Sequence, residues 1–207
     1  MNKNMKKYTP WIVVGGIVLI LVIWLAAGYN GMNSSSLEVD NSWANVQSQY
    51  QRRKDLIPNL EATVKKYAEH ESETLTSVTK ARAGVDKTQH AVNALPAEAP
   101  SDEMEMARYM QTQAEAAKAL DIYVNAVKEA YPDLKANENF LDLQEQLEGT
   151  ENRIQVARQN YNEAVKIYNK KVSSFPNVLI SGMFGFQKRS MFQADADAAA
   201  APQVFQD

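Results

Sequence analysis

The sequence predicts an all-α protein: a long up-and-down antiparallel helical bundle, coiled-coil-like in its packing, preceded by one transmembrane helix. Three observations predict it. Apolar residues recur at spacings of four and three from Val39 to Val85 and again from Phe140 to Tyr168, the mark of helices laying one seam against neighbours. Eight glycines and seven prolines in 207 residues leave too few turn signals for a strand-rich fold. Residues 11–29, WIVVGGIVLILVIWLAAGY, carry no charge and would span about 28 Å as a helix, close to the hydrocarbon thickness of a bilayer.

The apolar stretch comes first along the chain. Lys3, Lys6 and Lys7 precede it, and no Lys or Arg follows until Arg52. The positive-inside rule then makes residues 1–10 cytoplasmic, residues 11–29 an uncleaved signal anchor, and the remainder extracytoplasmic. Trp11, Trp24 and Tyr29 stand where interfacial aromatics hold the ends of a span. A cleaved signal peptide is the other reading, with small residues at Ala26 and Gly28, but the run is longer than an ordinary signal core of about 7–15 residues.

A first bundle helix is expected from Leu37 to about Gln89. Its seam is Val39, Trp43, Val46, Tyr50, Arg53, Ile57, Leu60, Val64, Tyr67, Glu71, Thr74, Val78, Ala81 and Val85. Pro58, in RRKDLIPNL (52–60), interrupts the composition but not the register, so it reads as a kink that frees the carbonyl of Lys54. ALPAEAPS (94–101) is a connector, and Ser101 is a suitable cap for a second helix with Met106, Met110, Ala117, Leu120, Val124 and Val127 inward. Pro132 stops that helix, and Asn137 can cap a third. The third seam is Phe140, Leu143, Leu147, Thr150, Ile154, Ala157, Tyr161, Ala164 and Tyr168. A short apolar segment (177–186) follows, then a low-complexity tail (187–207) rich in Ala and Asp. The bundle proper is thus 37–186.

Composition narrows the function. A net charge of −3 offers no surplus to grip nucleic-acid phosphates, and the absence of cysteine removes disulfides, thiolate catalysis and Cys-ligated zinc. His70 lies between Glu69 and Glu71, but position 74 is Thr where a helical metal site wants a second His. Ser72, Thr74, Ser77 and Thr79 neighbour His70 without forming a nucleophile–base–orienter chain. No Glu-x-x-His pair of a diiron bundle and no glycine-rich phosphate loop is present. The expectation is a protein that is not an enzyme, with no catalytic residue, metal, cofactor, nucleic acid or small-molecule substrate.

Contact surfaces are the better candidates. Arg53 occupies a seam position, where it either pairs across helices or, with Arg52, Lys54 and Asp55, offers a charged patch to a partner. Asn162 and Asn169 sit seven residues apart on one flank of the third helix, fit for setting register between helices or for docking. The expected helix lengths leave Val39, Trp43, Val46 and Tyr50 as an apolar stripe near the membrane with no partner. Either the C-terminal segment with Val178, Leu179, Ile180, Met183, Phe184 and Phe186 covers it, or a second copy does, as a symmetric homo-oligomer.

RRKDLIPNL with VKKYAEHE (64–71), EAYPDLKANENFLDLQEQLEGTENRI (129–154), ARQNYNEAVKIYNKKVSSFPNVLISGMFGF (157–186) and the terminal PQVF (202–205) resembles the LemA family of bacterial membrane proteins. The resemblance covers roughly residues 37–186 and departs mainly at 86–104. It implies a membrane-tethered long-helix bundle in the bacterial cytoplasmic (inner) membrane and supplies no reaction. The expected function is a non-enzymatic interaction or scaffold protein of the cell envelope, held in the bilayer by residues 11–29 and binding a protein partner or its own copies. The alternative is an accessory or regulatory subunit of a membrane-bound envelope enzyme such as a protease.

Overall fold

The computed structural model describes residues 5–68 and 76–193. Among them the regular structure is helical: α1 (Met5–Ala68), α2 (Thr76–Asn93), α3 (Glu103–Ala130), a 3-10 turn (Leu134–Ala136), α4 (Glu138–Ser173) and α5 (Asn177–Phe184). The all-α expectation therefore holds, with a long apolar N-terminal helix running into a helical bundle.

α1 is one helix of 64 residues, so the apolar segment and the first seam belong to the same element. Its apolar stretch has an 18-residue window of mean hydropathy 2.6 in which no residue is fully buried by the chain. Further along, Val39, Val46, Arg53, Ile57, Leu60 and Val64 are all buried, as the alternating spacing requires. Pro58 lies within this helix, which continues to Ala68 with the proline on the exposed side.

The expected single helix from Leu37 to Gln89 is corrected. α2 is a separate helix that packs back on α1: the Arg82 guanidinium lies 2.9 Å from the Glu61 carboxylate. In one straight helix these residues would stand about 31 Å apart. Val78 and Val85 join Ile57, Leu60 and Val64 in one core with Leu120, Tyr123 and Val127 of α3. Val64 and Val78 are two heptads apart, so the seam keeps its phase whether the chain runs on or turns back. Glu69, His70, Glu71, Ser72 and Thr74 lie outside the described residues.

α3 starts one residue later than its expected cap: Asp102 Oδ1 accepts from the Glu105 amide at 2.8 Å, while Ser101 Oγ donates to the Glu105 carboxylate at 2.9 Å. Its buried face is Met106, Tyr109, Gln113, Ala116, Leu120, Tyr123 and Val127. Met110, Ala117 and Val124, expected inward, are half-buried beside it, because Tyr109 and Tyr123 fill the centre of that face. The Phe140 amide donates to Asn137 Oδ1 at 3.3 Å, capping α4 as expected. The α4 seam matches its expectation from Phe140 to Tyr168, with Leu147 alone half-buried.

Two compact units divide the chain: Met1–Asn41 with Glu163–Arg189, and Ser42–Asn162 with Ser190–Asp207. In the larger, α1 and α3 run parallel (Gln47 beside Tyr109, Arg53 beside Gln113), and α4 descends antiparallel to α1 (Arg53 beside Glu151, Trp43 beside Tyr161). This is up-and-down topology with four helical segments. In the smaller unit α5 packs on the end of the apolar stretch. Ile180 Cδ1 would lie 2.5 Å from a Cβ at position 28, so glycine is what permits the approach. Lys171 Nζ donates to Ser35 Oγ at 2.5 Å and to the Gly31 carbonyl at 3.3 Å. Gly185, at φ +73°, ends α5 in the left-handed conformation.

The expectation of a bare stripe is also corrected. Val39, Trp43, Val46 and Tyr50 are at most 8 % exposed in the monomer. Because α1 ends at Ala68 and α2 packs back on it, the α2–α3 connector falls beside Trp43, whose indole N–H donates to the Ala97 carbonyl at 2.8 Å. Tyr109, Tyr161 and Phe192 then pack on the Trp43 ring at centroid distances of 5.1, 5.4 and 6.0 Å.

Candidate interaction sites

Arg53 is the centre of a buried polar cluster. It is 6 % exposed, with NH2 donating to Gln113 Oε1 at 2.6 Å and to the Gln113 carbonyl at 3.4 Å. Its NH1 reaches the Glu151 carboxylate at 3.4 Å, and its guanidinium lies 5.1 Å from the Tyr50 ring centroid. Gln113 and Gln47 each donate from Nε2 to the Tyr109 hydroxyl, at 3.4 and 3.2 Å. Burial, reinforced by Tyr50, pushes the Tyr109 phenol well above its ordinary value, so that hydroxyl stays protonated. The cluster ties α1, α3 and α4 together.

The rest of RRKD does not share that face. Arg52 and Asp55 are exposed, Lys54 is half-buried, and Asp55 accepts from Gln51 Nε2 at 2.6 Å. Beside Arg53 the surface opens into a groove of about 510 Å³ between α3 and α4. Leu120, Val124 and Leu147 form its apolar wall, and Lys118, Asp121, Lys128, Glu148 and Glu151 rim it with both signs of charge. Gln144, in the same wall, has its Nε2 buried with no hydrogen-bond partner among the described residues. No sequence motif marks this groove; the half-buried Ala117, Val124 and Leu147 mark it only after the helices are placed.

Asn162 and Asn169 each grip main chain rather than a neighbouring helix. In the larger unit Asn162 accepts from the Phe192 amide and donates to its carbonyl, both at 2.8 Å. In the smaller, Asn169 accepts from the Arg189 amide at 2.9 Å and donates to its carbonyl at 2.8 Å. Each side-chain amide thus pairs with one residue as a neighbouring strand would. Tyr161 adds a bond to the Ser190 carbonyl at 3.1 Å, and the Arg158 guanidinium lies 4.8 Å from the Phe192 ring centroid. The first residues of the stretch read as a low-complexity tail are therefore packed; residues 194–207 lie outside the described residues.

At the anchor, Trp11 is 75 % exposed and Trp24 half-buried. The Tyr29 ring meets Phe184 at 5.0 Å and Phe186 at 5.5 Å, both edge-on. Among the described residues no three His, Asp or Glu side chains converge as a metal site would require.

Two magnetosome proteins of Paramagnetospirillum magneticum, MamQ 2 and MamQ 1, are each 29 % identical to this chain over 85 residues, which is 40 % of this chain and 31 % of the relative. The chain thus spans about a third of the length of the curated relatives it matches. The LemA family model matches residues 42–205, from the residue before Trp43 to the PQVF motif. That match takes in the buried seams, the Arg53 cluster and the Asn162 and Asn169 grips, and by it the chain belongs to the LemA family.

Proposed function

We propose that this protein is a non-enzymatic, membrane-tethered interaction protein of the bacterial cell envelope. It crosses the cytoplasmic membrane once through residues 11–29, with the N-terminus inside and the bundle outside. The groove beside Arg53 supports this reading. Its apolar wall and mixed charged rim suit a helical or extended protein segment. Its lining has no Ser, Thr, Tyr, Cys or His side chain.

A photo-crosslinking residue at Lys128 in the full-length protein, in living cells, tests the contact. The expected result is a discrete adduct with one envelope protein or a second copy. Val124→Asp should abolish it while leaving the membrane-bound amount of protein unchanged. Absence of any adduct from Lys128, with efficient capture from an unrelated surface site, would remove the groove from the account. A stoichiometric protease in the adduct would convert the scaffold reading into the regulatory-subunit one. Orientation has its own test: a cysteine at Ser101 should react with a membrane-impermeant thiol reagent before lysis, and reaction only after lysis reverses the topology.

A further inference from the structure

α5 packs by one side on the end of the apolar stretch, and its other side is bare. Ile180 is fully buried at Gly28, whereas Phe175 is 82 %, Leu179 58 % and Met183 71 % exposed. Between Lys171 and Lys188 the chain carries no charged residue, and basic pairs flank this run: Lys170–Lys171 and Lys188–Arg189. Lys171 is held at Gly31 and Ser35, beyond Tyr29 in the direction leading away from the apolar stretch, and Arg189 lies 3.5 Å from the Asp40 carboxylate. The apolar side chains are thus level with the last residues of the stretch, and Lys171 and Arg189 lie further along α1, at residues 31–40. In water such an exposed apolar patch is unfavourable in proportion to its area. At the boundary between acyl chains and headgroups the same arrangement is favourable, with apolar groups in lipid and ammonium groups at phosphate level.

We propose that α5 is a second membrane contact, an interfacial helix that seats Phe175, Leu179 and Met183 in the leaflet from which α1 emerges, with Lys170 and Lys188 at its phosphates. The occupant is lipid because the bare face is continuous with the uncovered surface of residues 11–23, which is the bilayer-facing surface if α1 spans. The inference rests on that reading of residues 11–29.

The chain has no native cysteine, so single-cysteine nitroxide labels report one site each. The full-length protein, in nanodiscs of phosphatidylcholine and phosphatidylglycerol, is labelled at Leu179, Met183, Ile20 or Met104, and collision with dissolved oxygen is compared with collision with a water-soluble nickel chelate. Labels at Leu179 and Met183 should favour oxygen, as at Ile20, and the ratio should invert at Met104, which is 82 % exposed in the larger unit. If Leu179 and Met183 follow Met104 while Ile20 favours oxygen, the anchor stands and the α5 contact falls. If Ile20 also favours the chelate, the spanning reading falls and takes the α5 contact with it. Labels shielded from both reagents and coupled spin to spin between copies would put a second copy on α5 and overturn the lipid assignment.

Discussion

Trp43 and Phe175 are large aromatics in a chain with few turns, yet one is 5 % exposed and the other 82 %. Around Trp43 the larger unit packs closely. Three rings pack on the indole, its N–H finds a carbonyl, and even the cationic Arg53 is sealed in with Gln113 and Glu151. Around Phe175 the smaller unit leaves Leu179, Met183 and Phe184 outside as well. A chain able to bury an arginine is not short of covering surface. The difference between the two regions is the one that the proposed lipid contact of α5 requires.

Substitutions in the covered region should be expensive in proportion to what they uncover. Trp43→Ala removes the ring that holds Tyr109, Tyr161 and Phe192 together and should cost about 3–5 kcal/mol in urea unfolding of the full chain in detergent, followed by far-ultraviolet circular dichroism. A cost below about 1 kcal/mol would break the comparison, since ordinary surface positions behave that way. Arg53→Ala leaves the buried Gln113 oxygen without its donor, while Glu151, 44 % exposed, regains water. The expected loss is about 2–3 kcal/mol, most of it on the Gln113 side.

Asn162→Ala should cost about 1–2 kcal/mol. Its effect should be local: hydrogen exchange at the Phe192 amide rises while the α3 core keeps its protection. Uniform exchange across the bundle would mean the grip is part of the global core instead.

Tyr123 offers a gentler probe. Burial raises its phenol from an ordinary 10 to about 12, with Glu61 adding to the shift. Between those values the unfolded chain loses the proton that the folded chain keeps, so stability should fall as pH rises from 10 toward 12. Tyr123→Phe should flatten that part of the alkaline profile; an unchanged profile would assign the loss to other groups. Smallest of all should be Leu179→Ser, within about 0.5 kcal/mol in the same unfolding assay, because the side chain is 58 % exposed. A large loss there would show that α5 is covered after all.

The inward faces of α1 and α4 were legible in the sequence; that of α3 was legible only at Met106, Leu120 and Val127, and the break between α1 and α2 was not legible. The α4 seam from Phe140 to Tyr168 and the α1 seam from Val39 to Val64 follow from spacing alone, because a helix returns one face to its neighbours every three or four residues. The cap at Asn137 and the stop at Pro132 are local chemistry and needed nothing more. The apolar length of residues 11–29 was equally local. What the spacing could not carry was direction. Val64 and Val78 share a phase whether α1 continues or α2 turns back, and that one reversal decides that Trp43 is covered by its own chain and is not left as a stripe for another. Nor could it say what Arg53, Asn162 and Asn169 would meet. Their partners, Gln113 and Glu151, Phe192 and Arg189, lie 20 to 98 residues away in sequence. A long-range pairing has no period to read. The sequence by itself determined which faces of α1 and α4 are apolar, where α3 ends and where α4 begins; only the tertiary structure decided where the first helix stops and which face covers which, because that depends on where the chain reverses and how far each helix then reaches.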